Sequence, residues 1–131
     1  MEKTLEDKIY KHPKGKFTLD ENYIIHADYD NLVDITLQDA IREVEIALEV
    51  GKGKKVLSLT NITDVKSIEQ KARQYYSGPE AERAYKAVAL IVRSPVSKML
   101  GNFFIGLNKP TMPLQLFNTE KEGLAWLKGM I

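Results

Sequence analysis

AVALIV, residues 87 to 92, is apolar at every position. A strand with one face in water alternates apolar and polar side chains, so an unbroken run bounded by Lys86 and Arg93 reads as a strand covered on both faces. Such cover is the condition of a central parallel strand. Parallel neighbours need crossovers of a dozen or more residues, ordinarily helices.

On the carboxyl side of this run, Ser94-Pro95 reads as an N-cap followed by proline at the first helical position. Pro113 to Phe117 then reads as a strand, and Thr119-Glu120-Lys121-Glu122 as a capping box opening a terminal helix that carries Leu124, Trp126 and Leu127. On the amino side, Lys54 to Thr60 reads as a strand. Asp64 to about Ser77 reads as a helix with Val65, Ile68, Ala72 and Tyr75 on one side, closed by Gly78-Pro79, and Pro79 to Tyr85 as a short helical turn. Thr36, with Asp39 three residues on, caps a helix whose Leu37, Ala40, Ile41, Val44, Ala47 and Leu48 fall at helical spacing before Gly51. Lys16 to Leu19 and Tyr23 to Tyr29, separated by Asp20-Glu21-Asn22, read as an antiparallel hairpin. Residues 1–14 are a polar leader, or supply an edge strand around Leu5 to Tyr10. Strand and helix alternating three times after residue 54 imply right-handed βαβ units. The expectation is a single α/β domain over residues 1–131: a mixed sheet with an N-terminal antiparallel hairpin, three βα units and four to five helices.

Composition narrows the function classes. With 44% apolar and 28% charged residues the chain falls among globular proteins. Its longest apolar run is far too short to span a bilayer, and the acidic N-terminus lacks the apolar core of a signal peptide. A cytoplasmic protein is expected. The lack of cysteine removes disulfides, thiolate metal sites and a cysteine nucleophile together. Nineteen basic against 18 acidic residues leave a net charge of +1, so no global field steers the chain to nucleic acid. Lys52-Gly53-Lys54-Lys55 has no aromatic stacking platform beside it and reads as a solvated turn.

The order hairpin, helix, then three strand–helix units resembles the STAS domain, the SpoIIAA-like fold of bacterial anti-sigma-factor antagonists. The Ser-Pro-Val-Ser, Gly-Asn-Phe-Phe-Ile-Gly-Leu-Asn-Lys-Pro and Trp-Leu elements between Ala87 and Leu127 are similar to a group of uncharacterised bacterial STAS-like proteins. The resemblance implies a regulatory protein–protein interaction module without catalysis. In such proteins a serine at the start of the helix after the third strand is phosphorylated, within an Asp-Ser-Ser-Gly-like turn. Ser67 falls near that position and Thr63 is the neighbouring candidate, but Lys66 precedes Ser67 and Ile68 follows it. The phosphoserine switch motif is therefore not intact, and a helix N-cap is the plainer role for either residue.

The residues offer little catalytic chemistry. His12 lies in the polar leader and His26 in a strand, and neither has the spacing of a metal pair or a nucleophile elbow beside it. No cofactor, metal site or catalytic residue is expected. Glu43, Glu45 and Glu49 read as the solvated side of their helix. In open α/β sheets ligands favour the carboxyl ends of the strands. There Arg93 and Ser94 form a candidate anion site at a helix N-terminus.

At about 100° per residue, Val96, Met99, Leu100, Phe103 and Leu107 form one stripe of the helix after Arg93, expected to face the core. Phe104 lies on the stripe's edge, Ile105 points nearly opposite, and Gly101 with Ser97 lies beside Phe104. Phe104, Ile105, Gly101 and Ser97 are therefore the candidate interface, for a protein partner or for a second copy of the chain in a homodimer. A second reading makes the protein a carrier or sensor for a small apolar ligand or lipid held between this helix and the sheet.

Overall fold

The computed structural model describes residues 8–131. Its six-stranded sheet has the order β1 (Ile9–His12), β2 (Gly15–Leu19), β3 (Ile24–Tyr29), β5 (Val56–Asn61), β7 (Tyr85–Ile91), β8 (Leu114–Phe117). β1, β2 and β3 pair antiparallel, and the remaining neighbours are parallel. A small parallel pair, β4 (Asp34–Ile35) with β6 (Ser67–Ile68), lies apart from it. The helices are α1 (Leu37–Gly51), α2 (Gln70–Tyr76), α3 (Pro79–Ala84), α4 (Pro95–Phe103), continued by a wider π turn over Phe104–Asn108, and α5 (Glu120–Lys128). This is the expected mixed-sheet architecture. The edge strand lies at Ile9–His12, while residues 1–7 of the leader fall outside the described residues.

β7 occupies the inner position that its composition demands. Ala87, Ala89 and Ile91 pack with Leu127 of α5 on one face, while Val88 and Leu90 join the larger cluster around Ala40, Val44 and Ala47 of α1 on the other. The two faces are filled differently. A Cβ placed on Gly123 of α5 would come within 2.8 Å of Leu59 Cδ1 and 3.0 Å of Ile91 Cδ1, so this glycine and the small Ala87 and Ala89 set α5 close against the sheet. α1 starts as its cap predicts: Thr36 accepts from the Asp39 amide, and Asp39 Oδ2 accepts from the Thr36 amide at 2.8 Å.

Two expectations are corrected. The helix read from Asp64 is only Gln70–Tyr76, because residues 66–69 are drawn into backbone pairing alongside Val33 to Ile35. Its N-cap is Glu69, which makes no side-chain cap bond. The face of α4 is also different. Ser97 and Gly101 are buried and Phe104 is 7% exposed, whereas Val96, Met99, Phe103 and Leu107 are 46%, 61%, 52% and 63% exposed. A Cβ on Gly101 would lie 2.9 Å from Leu116 Cδ2. Small residues thus face the sheet because α4 sits too close to β8 for large ones, and the apolar stripe is turned outward.

Candidate functional site

At the carboxyl ends of β5 and β7 the chain ties two candidate sites together. The Ser94 hydroxyl donates to the Thr63 carbonyl at 2.7 Å, and the Arg93 amide donates to Thr63 Oγ1 at 3.3 Å. Thr63 in turn donates to the Ile91 carbonyl at 3.4 Å. Ser94 and Ser97 form a reciprocal cap, each hydroxyl accepting from the other's amide at 3.0–3.1 Å. The cap thus uses the Ser97 amide, one of the donors that an anion at this helix start would need. Arg93 is exposed. Ser94→Ala should destabilise the fold by about 0.5–2 kcal/mol, with a lower urea midpoint and an unchanged slope as the check; a larger slope change would mean that the loop itself had melted.

Ser67 is not at a helix N-terminus. It is half-buried in β6, and its hydroxyl donates to the Asp34 carboxylate, so a phosphate there would meet like charge. His12 is held rather than free: its Nε2 donates to the Asp39 carbonyl at 2.9 Å, its Nδ1 accepts from the Lys14 amide, and its ring stacks on Phe17. Burial, partly opposed by the Asp39 bond, lowers its pKa. His26 pairs with Asp20 at 2.8 Å. Burial pushes the Asp20 carboxyl up, but bonds from His26 and from the Ile24 and Asn22 amides bring its pKa below the ordinary value. Among the described residues no three His, Asp or Glu converge as a metal site, and no helix is long and apolar enough to cross a membrane.

The feature that sequence reading missed is a buried polar cluster on the α1 side of the sheet. Glu45 and Glu49 stay on the surface, bridged to Arg42, but Glu43 is buried. Its Oε1 accepts from the hydroxyls of Tyr29, at the end of β3, and Tyr76, at the end of α2, the latter at 2.7 Å. The Tyr85 hydroxyl lies 3.5 Å from the Glu43 carbonyl. Burial raises the pKa of Glu43 against the opposing pull of the phenols. It also raises the three tyrosines well above their ordinary value, helped by the glutamate's charge. A signal was present: Glu43 stands three residues after Ala40 and four before Ala47, inside the buried stripe.

The cluster borders a cavity of about 60 Å³ between the sheet and the roof made by α1, α2 and the α4–π segment. Leu90, Leu100, Phe104, Met112 and Leu114 supply much of its apolar wall, and Arg73 of α2 lines it too. Arg73 donates through Nη1 to the Ile68 carbonyl, and its guanidinium carbon lies 5.8 Å from the centre of the Phe103 ring. Its Nε is buried without an acceptor.

The strand order, with its antiparallel start and α5 on the face opposite α1, is that of a SpoIIAA-like α/β fold. Comparison with known proteins agrees: a crystal structure of an uncharacterised DUF3478-family protein with a SpoIIAA-like fold, from Shewanella loihica PV-4, superposes with a TM-score of 0.60. It is 13% identical and covers 90% of this chain and 98% of that one. Residues 17–131 match the family described as a domain of unknown function, DUF7793, and the chain belongs to it. A protein of unknown function from Arthrobacter sp. FB24 is 23% identical over 90% of this chain and 95% of its own, with a TM-score of 0.34. No curated protein matches the sequence.

Proposed function

We propose that the protein is a non-catalytic, cytoplasmic regulatory module that docks another protein through the outward face of α4. The observation that carries this reading is the exposure of Val96, Met99, Phe103 and Leu107 on consecutive turns. Keeping about half of each such side chain in water forgoes about 1 kcal/mol of burial apiece, and contiguous exposed apolar surface marks interaction sites. Ile105, half-buried, stays at its margin, while Ser97, Gly101 and Phe104 support the helix from beneath. The reading does without a phosphoserine switch, since Ser67 lacks both its flanking motif and a helix start.

Charge selects the occupant. Between Glu82 and Glu120 the chain has no acidic residue, and Arg93, Lys98 and Lys109 flank the apolar row. A two-fold self-contact would set these cations against one another. The partner is therefore a different protein presenting an apolar surface rimmed by Asp or Glu.

A photo-crosslinking residue at position 99, with one at the exposed Gln38 as control, tests this in the native cell. The expected result is one dominant crosslinked species from position 99 alone, joined through an acid-rimmed apolar segment and lost in Phe103→Glu protein of unchanged circular dichroism. A concentration-dependent dimer broken by Phe103→Glu, or equal crosslinking from both positions, overturns the proposal.

A further inference from the structure

The cavity beneath α4 offers a function separate from the docking face above it. At about 60 Å³ it has room for roughly four water-sized groups. Its polar groups differ in one respect. Glu43 is satisfied by Tyr29 and Tyr76, whereas Arg73 has a buried Nε–H with no acceptor and, among the described residues, forms no salt bridge. Buried donors in native proteins are seldom left unpaired. Arg73 is half-buried and lines the cavity, and its guanidinium carbon lies 5.8 Å from the centre of the exposed Phe103 ring.

We propose that the cavity binds a small aliphatic monocarboxylic acid, its carboxylate accepting from Arg73 Nε–H and its short hydrocarbon body lying among Leu90, Leu100, Phe104 and Leu114. An acid fits better than an amine, because the unmet group is a cationic donor while the buried carboxylate already has its partners. A charge-assisted bond to guanidinium is the strong kind of hydrogen bond. The volume sets the size class: a body of about four carbons fills the space, so a long acyl chain does not fit. Small-molecule sites of this kind are apolar with a few placed polar groups.

The test titrates straight-chain acids from acetate to decanoate, with pentylamine and pentanol as controls, by calorimetry and by the ¹⁵N signal of the Arg73 side chain. The expected result is an affinity optimum near pentanoate, a shift of the Arg73 Nε–H resonance, and little response to amine or alcohol. Arg73→Gln should weaken pentanoate at least tenfold and Arg73→Lys less. Leu114→Phe, which fills the cavity from an edge strand, should weaken it through a different wall, and circular dichroism would show that each variant folds. Met99→Glu, which removes docking, should leave acid binding unchanged, so the two proposals fail independently. No heat and no shift at millimolar acid, equal binding of pentylamine, or unaltered affinity in both Arg73→Gln and Leu114→Phe proteins overturns the assignment.

Discussion

Phe104→Ala is expected to lower the unfolding free energy by about 3–5 kcal/mol, whereas Phe103→Ala should lower it by less than about 1 kcal/mol. The two phenylalanines are adjacent in sequence and opposite in environment. Phe104 is 7% exposed, meets Tyr76 edge-on at 6.3 Å between ring centres and closes the cavity roof. Removing its ring leaves a void beside an existing one, which the neighbours can close only in part. Phe103 is half in water, with the Arg73 guanidinium carbon 5.8 Å from its ring centre. Urea unfolding of the two variants decides the matter: a larger loss for Phe103 would mean that α4 is seated on its apolar stripe.

The same pair shows where sequence reading succeeds and where it stops. The start of α4 was legible because Ser94 and Pro95 act locally, through amides and a fixed φ, whatever lies beneath the helix. β7 was legible because no polar residue interrupts the run from Ala87 to Val92 that forms most of it. The direction α4 faces was not legible, since periodicity finds an apolar stripe without saying what covers it. Close approach to Leu116 overrides the stripe, and only Gly101 and Ser97 hinted at that. β4 and β6 were missed for a related reason: two residues each carry no period, and their pairing is dictated by a distant segment. The Glu43 cluster needed three tyrosines from three separate elements, so no local window contains it.

Glu43 carries the second large effect. Glu43→Ala should cost about 2–4 kcal/mol, because it leaves the buried hydroxyls of Tyr29 and Tyr76 without their acceptor and enlarges the cavity. Glu43→Gln keeps an acceptor of the same shape but does not titrate, so it isolates the charge. Because burial raises the folded pKa of Glu43 above its unfolded value, the native state holds this proton more tightly than the unfolded chain does. Its contribution is complete below the ordinary glutamate range and is lost as pH rises through the folded pKa. The groups with depressed pKa act in the opposite direction. Asp39 is raised by burial but carried below its ordinary value by bonds from Lys14 and Thr36, and it behaves like Asp20: both stabilise above the ordinary aspartate range and lose that contribution as pH falls. The lowered pKa of His12 likewise makes acidification costly, from the ordinary histidine range downward. Wild-type stability should therefore carry opposing contributions, with Glu43 responsible only for a loss that begins above the ordinary glutamate range and grows as pH rises through its folded pKa. Unfolding free energies measured from acid to mildly alkaline pH should show that loss removed in Glu43→Gln protein and the acid limb unchanged. Parallel profiles for the two proteins would mean that water reaches the Glu43 carboxyl, and a wet cluster would also supply the acceptor that Arg73 Nε–H lacks.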